Sequence, residues 1–99
     1  MAIETIPWTI QDHIKTPERQ LGYLEAALED GDPGLIAAAL GDIARARGVA
    51  AVAQEVGVTR QGLYKSLSST GDPRLSTVMG VLRALGLRLV AVDCPTRKA

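Results

Sequence analysis

Twice in this chain a capping residue stands directly before a proline, at Thr16-Pro17 and Asp32-Pro33, and a glycine closes the segment that follows, at Gly31 and Gly48. An oxygen-bearing side chain at the cap, proline at the first helical position and glycine just past the end together specify short, well-bounded helices. In the first segment Leu21, Leu24 and Leu28 recur at helical spacing beside Tyr23 and Ala27. In the second, Leu35, Ile36, Ala39, Leu40 and Ile43 form the stripe, and Arg45 and Arg47 sit at the C-terminal end, where cations complement the helix dipole. Residues 49–56 and 59–67 predict two shorter helices on either side of Gly57. Leu75, Val78, Met79, Leu82 and Leu85 predict a last one, closed by Gly86, with Asp72-Pro73 read as another acid–proline start. Residues 87–92, Leu-Arg-Leu-Val-Ala-Val, are β-rich and predict a short edge strand. The expected architecture is all-α, a small domain of about five helices with one C-terminal edge strand.

The chain has 99 residues, enough for one core. It contains no Phe, one Trp and two Tyr, so that core has to be built from Ala, Leu, Val and Ile. The longest uncharged apolar stretch, residues 33–41, falls far short of the roughly 18 residues a membrane span needs. No basic-then-apolar leader opens the sequence, and the expected compartment is the cytoplasm. Cys94 is the single cysteine and has no intrachain disulfide partner; His13 stands without the Cys or His spacing of a metal site. Ser68, Ser69 and Thr70 lack the His and acid that would make a nucleophile of them, and they read as a loop. The expectation is a protein that is not an enzyme and uses no cofactor or metal.

A net charge of zero conceals a polarised chain. Residues 1–42 hold two basic against eight acidic side chains, and residues 43–99 hold nine basic against three acidic, giving −6 and +6. A basic half suits an anionic partner, and an acidic half suits a basic one. The division that follows is an acidic N-terminal arm and first helix over residues 1–31, a second unit over 32–93, and a tail over 94–99.

The second unit contains the most specific pattern. Around Gly57, two short helices form the outline of a helix-turn-helix. Ala53 is small enough for the helices to cross closely, Gly57 permits a left-handed turn, and Thr59 caps the second helix. Val52, Val56, Val58 and Leu63 are expected to face inward. Thr59, Arg60, Gln61, Tyr64 and Lys65 then fall on or beside the outer face, forming a set suited to double-stranded DNA. Arg and Lys can address guanine or phosphate, and Gln can pair with adenine.

The runs 39–48 (ALGDIARARG) and 58–67 (VTRQGLYKSL), with the segment from Asp72-Pro73 through Thr77 to 83–87 (RALGL), resemble the antitoxins of bacterial addiction modules that carry a phage-repressor-like helix-turn-helix. The nearest likeness is to the antidote group related to the HigA family, and it covers about four-fifths of the chain. The sequence departs from the broader repressor pattern at Val49, where many carry glutamine, and at Ser66, where an aromatic is common. The resemblance implies a homodimer that binds operator DNA, represses its own operon and neutralises a RelE-like toxin. Trp8, Leu21, Tyr23, Leu24 and Leu28 in the acidic part are the apolar anchors available for that toxin, the alternative being that the Leu21, Leu24 and Leu28 stripe packs on the helix that follows. Two other readings stand beside it: a stand-alone phage-type regulator with no toxin, and an interaction module that has lost DNA binding.

Overall fold

The structure, a computed structural model, describes residues 13–94. The expected arm, including Trp8, and the tail from Pro95 onward lie outside the described residues. Among the described residues five whole helices follow one another: α1 (Pro17–Asp30), α2 (Pro33–Arg47), α3 (Val49–Val56), α4 (Arg60–Ser66) and α5 (Leu75–Ala84).

The expected caps form. The Thr16 hydroxyl accepts from the Arg19 amide at 3.2 Å, and Asp32 accepts from the Leu35 amide at 2.9 Å. Gly31 ends α1 in the left-handed region (φ 84°), donating its amide to the Ala27 carbonyl. The start expected at Asp72-Pro73 is different. α5 begins two residues beyond Asp72-Pro73, with Arg74 at the cap position and no side chain satisfying its first amides. Asp72 and Pro73 follow Gly71, where a Cβ would collide with the backbone carbonyls of Lys65 and Ser66.

α1 packs on α2, α2 on α3 and α4, and α3 on α4 and α5. The core between them holds Leu24 of α1, Leu40, Ile43 and Ala44 of α2, Val49, Val52 and Ala53 of α3, and Leu63, Leu67, Val81, Leu82 and Leu85. Each fully buried Leu, Ile or Val contributes roughly 1.5–3 kcal/mol of transfer free energy. The one buried polar side chain among the described residues, Gln20, is satisfied at both ends. Its Nε2 donates to the Ile14 carbonyl at 3.0 Å, and its Oε1 accepts from Arg47 Nε at 2.6 Å. Arg47 in turn donates to the Leu85 carbonyl at 3.3 Å, so one guanidinium ties α1 and α2 to the end of α5.

The expected edge strand does not form. No strand exists among the described residues, and residues 87–94 run without regular structure, with Val90 72% and Val92 85% exposed. β-rich sequence becomes a strand only where a second strand supplies the ladder, and a helical domain offers none.

Candidate nucleic-acid interface

α3 and α4 meet around Gly57, whose φ of 89° is open to glycine and costly to other residues. The amides of Gly57 and Val58 both donate to the Ala53 carbonyl, at 2.9 and 3.0 Å, and this pair of hydrogen bonds holds the turn that reverses the chain within two residues. Ala53 and Val52 are buried at the crossing as expected, and Val56 is half-buried against Gly80 of α5. Val58 is not. It is 40% exposed, because the tight reversal carries it past the core before α4 begins.

Thr59 adopts an extended conformation and accepts from the Gly62 amide at 2.9 Å. A Cβ on Gly62 would lie 3.1 Å from that same hydroxyl, so the glycine gives the cap its room. Within α4, Leu63 and, just past its end, Leu67 are almost wholly buried. At 100° per residue this turns Gln61 and Lys65 directly outward, with Arg60 and Tyr64 together on one flank. Thr59, Arg60, Gln61, Tyr64 and Lys65 are all exposed, and the fold brings all five onto one short element.

That flank faces α2. The Arg45 guanidinium lies 4.8 Å from the centroid of the Tyr64 ring, within reach of a cation–π contact. Arg45 also pairs with Asp42 Oδ1 at 3.6 Å, a part-exposed contact of modest strength. On its other side Asp42 accepts from the Tyr23 hydroxyl at 2.6 Å. Burial, followed by this carboxylate, pushes the Tyr23 phenol from 10 up to about 12. A continuous polar chain therefore runs from α1 through α2 to α4. The sequence offered a reason for Arg45 only as a dipole complement; its contact with Tyr64 joins residues far apart in the chain and leaves no local signature.

The expected partner anchors are divided. Leu24 is 3% exposed and belongs to the core, so it offers no surface to a partner. Leu21 at 42% and Leu28 at 39% are exposed on the flank of α1, beside the exposed carboxylates Glu18, Glu25 and Glu29. Tyr23 is half-buried. With Ala26, Ala27, Asp30, Leu35 and Ala39 it lines a groove of about 170 Å³ between α1 and α2.

A family model described as "probable addiction module antidote protein" matches residues 4–93. The chain belongs to this family. It is also similar to a Haemophilus influenzae (strain Rd) protein described as uncharacterized, with 44% identity over 79 residues, 80% of this chain and 81% of that one. No solved structure matches it. The span shared with the antidote family takes in α1 as well as α2 to α5, so the acidic helix is part of the family's unit. Among the described residues of this antidote-family member, no helix is long and apolar enough to cross a membrane.

Proposed function

We propose that this chain is the antitoxin of a type II toxin–antitoxin module, and that it represses its own operon by binding operator DNA through α4 while neutralising a RelE-like toxin. It acts in the cytoplasm and by binding alone, without catalysis. The observation that carries the DNA half of the reading is α4 itself: a short helix anchored by Leu63, capped by Thr59 and presenting Arg60, Gln61, Tyr64 and Lys65 to solvent. That arrangement supports entry of a recognition helix into the major groove. One such helix reads few base pairs, so the active form is a homodimer on a palindrome. The exposed Leu75 and Met79 of α5, with Leu89, Val90 and Val92 after it, supply apolar surface for the second copy.

The toxin half rests on family membership and on α1. An RNA- or ribosome-directed toxin carries positive charge, which the acidic face of α1 steers. Leu21, Leu28 and the groove beside Tyr23 supply the apolar contacts that lasting affinity requires.

A mobility-shift titration on DNA upstream of the coding sequence tests the reading. Arg60→Ala or Gln61→Ala should each cost about 1–3 kcal/mol if it contacts a base. An Ala triple variant at 60, 61 and 65 that binds as the wild type does would refute DNA recognition by α4. Rescue of growth from the adjacent toxin gene by a variant that binds no DNA would separate the two activities.

A further inference from the structure

We propose that Arg45, on α2 and outside the recognition helix, is a DNA-backbone contact that binds a phosphate flanking the bases read by α4. The proposal rests on the DNA-binding reading of α4.

Three observations carry it. The first is position: with its guanidinium 4.8 Å from the Tyr64 ring centroid, Arg45 puts its charge on the flank of α4 that also carries Arg60. Secondly, Arg45 and Tyr64 are both exposed, so the stack is a surface and can meet a ligand without rearrangement of the core. The third is the character of its present contact. The ion pair with Asp42 uses one guanidinium nitrogen at 3.6 Å, longer than a well-formed charge-assisted hydrogen bond. A guanidinium has five N–H donors in a planar fork, and stacking on an aromatic face leaves their edges available to phosphate oxygens.

Arg47, two residues on, makes the contrast. Its Nε is spent on buried Gln20 and its Nη2 on the Leu85 carbonyl, a structural assignment that leaves it little reach. Asp42 holds Arg45 from the far side and is itself engaged by the Tyr23 hydroxyl. Ring and carboxylate together hold the cation beside α4 before DNA arrives, so less side-chain freedom is lost on binding.

Salt dependence separates a phosphate contact from a merely structural role. Each phosphate neutralised contributes about 0.9 to the slope of log affinity against log salt, which is roughly a 3.5-fold change between 50 and 200 mM. The probe is a duplex taken from immediately upstream of the coding sequence. The test compares wild type, Arg45→Ala, Arg45→Lys and, as a charge control on α1, Arg19→Ala, each checked by thermal melting. Arg45→Ala is expected to flatten the slope by about 0.9 per protomer bound, Arg45→Lys to restore it, and Arg19→Ala to leave it unchanged. An Arg45→Ala slope equal to wild type, with the Ala triple variant at 60, 61 and 65 still abolishing binding, overturns this proposal alone. If Arg45→Ala melts early, Arg45→Gln, which keeps a polar side chain of similar reach, takes its place and the same slope decides. A triple variant that binds normally refutes the parent reading instead.

Discussion

Replacing a glycine by alanine inside a helix ordinarily stabilises it by about 0.8–1 kcal/mol, because alanine gives up less backbone freedom. Gly41, in the interior of α2, should do the opposite. A Cβ built there runs into the Leu67 carbonyl oxygen and lies 3.2 Å from Leu67 Cβ and 3.3 Å from the carbonyl carbon. The obstacle is backbone at the end of α4, which cannot step aside as a flexible side chain would. Overpacking of a well-filled core costs about 1–3 kcal/mol, and a collision with backbone belongs at the upper end. Subtracting the propensity gain leaves Gly41→Ala destabilised by about 2 kcal/mol, or roughly 8–16 °C in melting temperature for a domain of this size. Gly22, in α1, provides the matched control, with nothing within 4 Å of the corresponding Cβ. Gly22→Ala should gain close to the full propensity difference, about 3–8 °C. Thermal unfolding followed by circular dichroism, with both variants and the wild type at one concentration, reads the two signs directly. A Gly41→Ala protein that melts at or above the wild type would refute the steric argument and with it the close packing of α2 on the end of α4.

Tyr23 has a higher pKa in the folded chain, about 12, than the 10 of a free phenol. Its stabilisation is therefore complete below pH 10 and is lost as pH rises from 10 towards 12. Tyr23→Phe should lower stability by roughly 1 kcal/mol at neutral pH and flatten that alkaline loss, as denaturant titrations across the range will show. Leu89→Asp places a charge on the exposed apolar segment after α5 and should shift the protein towards monomer while weakening DNA binding; light scattering and mobility shift measure the pair. Leu21→Ser with Leu28→Ser should leave the melting temperature within a few degrees, because neither side chain is buried, yet abolish rescue from the adjacent toxin gene. Full rescue would place the toxin surface elsewhere.

The parts of this fold that were legible in the sequence are those decided within one turn of helix. Thr16-Pro17, Asp32-Pro33, Gly31, Gly57 and Thr59 fix their caps and turns through bonds spanning three or four residues, and their positions agree with the structure. The errors come where a distant element has the deciding vote. Leu21, Leu24 and Leu28 look equivalent as a stripe. However, α2 meets α1 along Gln20, Leu24 and Ala27, so the stripe is split: Leu24 joins the core, Leu21 and Leu28 stay exposed, and a glutamine shares the buried face. The β-rich run at residues 87–92 lacks a partner, and Val58 is carried outward by the turn it follows. The α4 residues of the candidate site could be read from helical spacing once Leu63 was taken as inward. Arg45 could not, because only the packing of α2 on α4 brings it to Tyr64.

The Gln20–Arg47–Leu85 contact means that the acidic helix cannot be treated as a detachable accessory. A cut in the short linker at Gly31 and Asp32 would strip Ile14 and Leu24 from the core and leave Arg47 without its glutamine, loosening the end of α5 at the same stroke. A protease that clipped the molecule there would not yield a smaller folded unit, because α2 to α5 share one core with α1. Whatever the chain binds through either part would be lost in one event, so cleavage at a single linker would work as an off-switch for the whole protein.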